Sequence, residues 1–242
     1  MSPPAGRRPT RPLAELQQFV RDRTTLEPVP LAPEIVVHQA TEMTPLWRAT
    51  AAELCDWDDS PFWAFPWAGG QALCRFVLDH PDLVHGRTVL DFGTGSGLVA
   101  IAAARAGAAQ VEAFDLDPFC EAAVRLNAEA NGVAIEFHAR SPLGEPRPGV
   151  GLVLAGDVFY ERALAAGFLA WARELGASGV PSIAGDPGRI YSPQGLPELA
   201  VYDVPTPLEL EDRPVRRTRV LLAAGPPPAL SRTVSGGAGA AS

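Results

Sequence analysis

From residue 88 onward, apolar positions fall into short runs separated by helical patterns. Val89 and Leu90 open one run, which Asp91 closes. A loop follows with glycine at every second position, Gly93, Gly95 and Gly97. Residues 98–106 are helix formers without proline, and Gly107 marks a stop. A second run, 111–114, ends in Asp115-Leu116-Asp117-Pro118. Short apolar runs bounded by turn residues read as buried strands. Strand, glycine loop, helix, strand is one βαβ unit of a parallel sheet.

The same reading extends in both directions. Leu13, Leu16, Phe19 and Val20 recur at helical spacing and predict a helix over 12–23, with Pro12 suited to its first turn. Residues 24–33 hold Pro28, Pro30 and Pro33 and read as a connector before a short strand at 35–37. Segment 44–54 is ambiguous, with a helix from Pro45 as one reading. Leu73, Phe76, Val77 and Leu78 predict a helix running to Asp79. Beyond the βαβ unit, Asp117 is a good N-cap and Pro118 a good first helical residue, and Asn131-Gly132 ends that helix. Runs 133–137, 151–155 and 180–184 read as the next three strands. Leu164, Phe168, Leu169 and Leu175 form the apolar face of a helix between the last two, and Gly176 stops it. Runs 200–204 and 217–223 read as an antiparallel pair at the sheet edge. The expected fold class is α/β, a Rossmann-like seven-stranded, mostly parallel sheet with helices on both faces and an N-terminal helical and aromatic cap. The expected division is a disordered segment 1–11, a cap 12–85, a core 86–223 and a disordered Pro/Gly/Ala/Ser tail 224–242.

A length of 242 residues suits one α/β domain with additions. The formal charge of −8 argues against broad electrostatic binding to nucleic acid. All 20 basic residues are arginine, so the chain has no lysine side chain of its own to modify. Cys55, Cys74 and Cys120 share no close spacing, which argues against a zinc site or a disulfide framework, and no metal is expected. No run approaches a membrane span, and the first residues carry arginines without an apolar stretch. A cytoplasmic monomer is the expectation.

The glycine loop is the candidate ligand site. Glycine lets backbone turn sharply and lets a ligand approach, because no Cβ intervenes. In open parallel sheets ligands bind outside the carboxyl ends of the strands. Asp115 lies 22 residues after Gly93 (115 − 93), near the spacing of an acid that accepts ribose hydroxyls. The dinucleotide pattern G-x-G-x-x-G fails, because Leu98 stands where its third glycine belongs. Glycines at 93, 95 and 97 with Asp91 two residues ahead resemble the first motif of class I S-adenosylmethionine-dependent methyltransferases, D-x-G-x-G-x-G. That cofactor has no pyrophosphate but a cationic tail, which Asp91 would help to hold, directly or through loop order.

The resemblance narrows with PFWAFPWAGGQAL at 61–73, DLDP at 115–118, GDVFYE at 156–161 and GDPGR at 185–189. Together they resemble the electron transfer flavoprotein β-subunit lysine methyltransferases and their bacterial relatives, neighbours of the ribosomal protein L11 methyltransferases. The resemblance implies methyl transfer from S-adenosylmethionine to lysine nitrogens of a partner protein. It implies cofactor contacts from Asp91, Gly93, Thr94, Gly95, Gly97, Asp115, Leu116, Asp157 and Trp67. Asp157 and Tyr160 are the candidate catalytic residues, and Trp63, Phe65, Phe159 and Arg189 the candidate walls of the substrate cleft. Gly69 and Gly70 are read as allowing close approach to the cofactor, and Arg189 as pairing with Asp186 or Asp157 or touching substrate. After the third strand, His138-Ala139-Arg140-Ser141 lacks the acid many methyltransferases place near adenine, which leaves that wall unassigned. Two further functions fit the same fold: methylation of a small-molecule amine or hydroxyl, and cofactor binding without catalysis.

Overall fold

The computed structural model describes residues 11–40, 61–208, 211 and 213–228. The chain begins with α1 (Leu13–Arg23), then β1 (Thr25–Val29) and β2 (Ala32–Gln39), an antiparallel two-stranded sheet. After a one-turn helix at Phe62–Ala64 come α2 (Ala68–Asp79), β3 (Thr88–Phe92), α3 (Leu98–Arg105), β4 (Gln110–Asp115) and α4 (Pro118–Ala130). Next are β5 (Glu136–Ala139), β6 (Val150–Gly156), α5 (Arg162–Ala177), β7 (Ser182–Asp186), β8 (Glu198–Pro205) and β9 (Val215–Ala224). The seven-stranded sheet has the order β5-β4-β3-β6-β7-β9-β8. Pairs β5–β4, β4–β3, β3–β6 and β6–β7 are parallel, and β9 is antiparallel to both β7 and β8.

Alternation along the central strands feeds two cores. Val89, Val111, Ala113, Leu152, Leu154 and Ile183 pack with residues of α2 and α3 on one face. Leu90, Phe92, Phe114, Val153 and Ala155 pack with Phe168, Trp171 and Leu175 of α5 on the other. This is the period-2 signature of a sheet buried on both sides. A third cluster joins Leu16 and Val20 of α1 to Phe119, Ala122, Ala123 and Leu126 of α4.

Three features depart from the sequence expectation. Residues 24–33 are not a connector: β1 runs through Pro28, opposite Val36, in an edge strand where a missing N–H is tolerated. The third strand of the main sheet lies at Glu136–Ala139, later than 133–137. Helix α2 begins at Ala68, so Gly69 and Gly70 are helical. Gly69 lies against the sheet. A Cβ on Gly69 would stand 2.4 Å from the Gly185 carbonyl oxygen, and one on Gly185 would stand 2.0 Å from the Gly69 carbonyl oxygen. A Cβ on Gly156 would lie 2.9 Å from Gly70 Cα. These glycines let the start of α2 lie directly on the carboxyl ends of β6 and β7. The ambiguous segment 44–54 lies outside the described residues, as do most of 1–11 and 224–242.

Candidate functional site

The site forms where β3, β4, β6 and β7 end. Backbone at Gly93, Gly95 and Gly97 is left-handed, with φ of 66°, 53° and 82°. The loop is braced at both ends. Gly93 and Thr94 N–H groups donate to the Phe114 carbonyl at 2.9 and 3.1 Å. Asn127 of α4 donates to the Ser96 carbonyl at 2.8 Å and accepts from His38 N–H at 2.8 Å, which ties the loop to β2. At its middle glycine the loop is open: a Cβ on Gly95 would find its nearest neighbour only at 4.0 Å, the Trp63 Cα.

Asp91 is buried. Its Oδ2 accepts from Thr94 Oγ1 at 2.6 Å and from Ala100 N–H at 3.1 Å. Of the two roles expected for it, loop order is the one this geometry provides, because the side chain presents almost no surface for direct contact. Burial pushes its carboxyl up to about 7, with the charge of Asp115 adding to the rise. Asp115, at the end of β4, is fixed by three backbone donors. Oδ2 accepts from Gly95 N–H at 3.0 Å, and Oδ1 accepts from Leu116 N–H at 2.7 Å and Asp117 N–H at 3.1 Å. Leu116 beside it is 70% exposed, an apolar platform next to a carboxylate.

Asp157 follows β6 and is the one non-glycine with positive φ among the described residues, at 57°. A side chain in this conformation is uncommon and concentrates at functional sites. Its N–H donates to the Gly185 carbonyl at 2.9 Å, and its Oδ2 accepts from Gly70 N–H at 3.0 Å. Arg189 donates to Oδ1 from Nε at 2.9 Å and from Nη2 at 2.6 Å. The same guanidinium donates to Glu211 at 2.7 and 3.2 Å and lies 5.5 Å from the Trp67 ring centroid. Burial raises the Asp157 carboxyl above the ordinary range, and Arg189 and the Gly70 N–H restrain the rise. Of the partners expected for Arg189, Asp157 is the side-chain one. Asp186 instead accepts from the Arg189 N–H at 3.0 Å and from Arg219 Nη2 at 3.0 Å, which shapes the turn through Gly188.

Of the expected cleft residues, Trp63 and Phe159 are fully buried. Trp63 stacks on Phe119 at 5.5 Å and Phe159 packs edge-on against Phe168 at 6.0 Å, so both belong to the core and not to an open wall. Phe65 is also buried, 6.0 Å from Trp67. The exposed aromatic rim is instead Phe62 and Tyr160, 42% and 45% exposed, with ring centroids 5.5 Å apart. Trp67 joins it, 5.6 Å from Phe62, with its indole N–H donating to the Phe62 carbonyl at 2.9 Å.

Sequence reasoning missed Glu211, Asn127 and Phe62. Asn127 carried a signal, a polar residue on the apolar face of α4. Glu211 carried none, since its partner Arg189 is 22 residues away (211 − 189) across β8.

The cradle fits an S-adenosylmethionine molecule. A left-handed glycine loop open at Gly95, a fixed carboxylate in Asp115 with acceptor capacity left on Oδ2, and the exposed Leu116 suit a nucleoside. Buried Asp91 orders the loop through Thr94 and Ala100. Among the described residues no group of three or more His, Cys, Asp and Glu could hold a metal ion, and no helix is long and apolar enough to cross a membrane. Cys74 and Cys120 are buried and free, and Cys55 lies outside the described residues.

A family model, Ribosomal protein L11 methyltransferase (PrmA), matches residues 70–155. The electron transfer flavoprotein beta subunit lysine methyltransferase of Xenopus laevis is 40% identical over 175 residues, covering 72% of this chain and 70% of its own. The protein of that name from Rattus norvegicus is 37% identical over 189 residues, covering 75% and 73%. The ribosomal protein L11 methyltransferase of Aeromonas hydrophila is 49% identical over 76 residues, covering 31% and 26%. This protein is an S-adenosylmethionine-dependent methyltransferase, and it belongs to the electron transfer flavoprotein β-subunit lysine methyltransferase family.

Proposed function

We propose that the protein methylates lysine side chains of an electron transfer flavoprotein β subunit. The observation that carries the reading is Asp157. Its carboxylate is held at the carboxyl end of the sheet by Gly70 and Arg189, whose guanidinium lies against Trp67, beside the exposed rings of Phe62 and Tyr160. Relatives named for this activity, 37–40% identical over most of the chain, support the choice of acceptor.

When bound, S-adenosylmethionine supplies an activated methyl group on a sulfonium. Gly93, Thr94, Gly95, Gly97, Asp115 and Leu116 would hold it, Asp91 would act by ordering that loop, and Trp67 and Asp157 would lie beside the bound cofactor. The chain's own residues do the rest. Asp157 accepts an N–H of the acceptor amine and fixes its direction. Tyr160, Trp67 and Phe62 flank the aliphatic stem of the lysine and exclude water. Orientation of this kind is worth on the order of 7–11 kcal/mol of the barrier. Drying the amine lowers its pKa from about 10.4 in water, so more of it is uncharged at neutral pH. Within this reading the enzyme is a cytoplasmic monomer, and its charge of −8 disfavours nucleic acid as a partner.

The test is incubation of the purified protein with methyl-labelled S-adenosylmethionine and a lysate of cells lacking this enzyme, followed by separation of proteins from metabolites. Label in a protein band of the β subunit supports the reading. Label confined to the small-molecule fraction refutes it.

A further inference from the structure

A carboxylate beside an acceptor lysine has two opposed effects. It orients the amine, but it also stabilises the ammonium, which has no lone pair with which to attack carbon. The site described above needs a way around that conflict, and Arg189 provides one. Three N–H donors converge on Asp157, from Gly70 on Oδ2 and from Nε and Nη2 of Arg189 on Oδ1, the arrangement of an ionised carboxylate. Asp157 and Arg189 side chains are only 12% and 17% exposed, so solvent screens their charges poorly.

We propose that Arg189 is a positioning residue that neutralises Asp157, so that the site takes the lysine side chain as an uncharged amine instead of trapping it as an ammonium. This deepens the lysine methyltransferase reading and rests on it. Among the described residues the charged groups that face the pair are few. Glu211 takes two hydrogen bonds from the far edge of the guanidinium, and Arg216 lies 3.5 Å from Glu211. The neighbouring Asp186–Arg219 pair is bridged by the Ser192 hydroxyl, and Asp186 meets Arg189 through the backbone N–H. The described members of the cluster, Asp157, Glu211, Arg189 and Arg216, therefore sum to zero charge. An entering ammonium would make the cluster positive, whereas a neutral amine leaves it balanced. The ammonium gives its proton to water. The nitrogen lone pair then forms the N–C bond as the C–S bond breaks, and that bond's electron pair stays on sulfur. A second consequence is geometric. The two bonds to Oδ1 and the Gly70 bond to Oδ2 prevent rotation of the carboxylate, so its direction is set before the lysine arrives.

The test is the pH profile of kcat with saturating purified electron transfer flavoprotein β subunit, since kcat reports groups in the enzyme–substrate complex. The alkaline-rising limb is expected to move up by about one pH unit in Arg189→Met, as removal of one adjacent charge does. It is expected to stay within a few tenths of wild type in Arg189→Lys. Glu211→Gln removes a negative charge and is expected to move the limb the opposite way, toward acid. Damage to the fold would lower kcat at every pH and would not give shifts of opposite sign. Limbs that superimpose in all variants would overturn the role of Arg189 while leaving the acceptor assignment standing. Absence of lysine label in the wild type would overturn both.

Discussion

At the residue scale, Asp157 is where the fold and the chemistry meet. Its backbone φ of 57° is one that Asn also adopts readily, so Asp157→Asn changes charge with little change in backbone cost. We expect this variant to fold and to lose methyl transfer by on the order of 100-fold or more, a loss larger than any loss of S-adenosylmethionine affinity. Calorimetry with the cofactor and an initial-rate assay check the two halves separately. Retention of full activity would remove Asp157 from the chemistry. Asp91 gives a pH-dependent expectation. Its folded carboxyl stands at about 7, above the ordinary value of about 3.9, so the folded state binds the extra proton. Its contribution to stability is complete below about pH 4, is lost as pH rises to about 7 and is flat beyond, with a slope of at most about 1.4 kcal/mol per pH unit. In Asp91→Asn that loss is absent. The melting temperature of the variant relative to wild type should climb between pH 4 and 7, and a constant difference would contradict the assignment.

At the scale of elements, the glycine pair at the start of α2 separates packing from propensity. A Cβ on Gly69 meets backbone and carboxylate oxygens at 2.4 and 2.5 Å, while one on Gly70 meets only a Leu98 methyl at 3.9 Å. Gly69→Ala is expected to lower stability by at least about 2 kcal/mol, in the range of overpacked cores. Gly70→Ala is expected to raise it by about 0.5–1 kcal/mol, as alanine does inside a helix. Urea unfolding of the two variants checks the contrast, and equal effects would mean that α2 does not rest on β6 and β7 as described. The βαβ unit from β3 to β4 was legible in the sequence because its signals are local. Val89 and Leu90 against Asp91, glycines at alternate positions, and Asp117-Pro118 at the helix start each act within a few residues. What the sequence concealed depends on distant contacts. Strand β1 was masked by Pro28, which an edge position permits, and the start of α2 by two glycines whose use is set by strands more than 80 residues later (156 − 70, 185 − 69). In the candidate site, Asp115 and the glycine loop could be read from spacing. Trp63 could not be told from Trp67 by residue type, although the first stacks in the core on Phe119 and the second stands over Arg189.

At the scale of the whole molecule, the sheet gathers the glycine loop, Asp115, Asp157 and Arg189 at one end, and the exposed rings of Phe62 and Tyr160 rim that end. A protein acceptor would press on this rim, so Phe62→Ala should act on KM for the β subunit more than on kcat, by about 10-fold, as loss of one buried aromatic anchor does. An unchanged KM would place the docking surface elsewhere. The proposed reaction is transfer of methyl to lysine of a partner protein. The enzyme contains no lysine, so any methyl-lysine formed belongs to the substrate. The most direct measurement is mass-spectrometric mapping of the purified electron transfer flavoprotein β subunit from the same cells after incubation with enzyme and S-adenosylmethionine. Mass increments of methyl groups are expected on specific lysines, absent with Asp157→Asn. A β subunit whose lysines remain unmodified while the enzyme binds its cofactor normally would contradict this reaction.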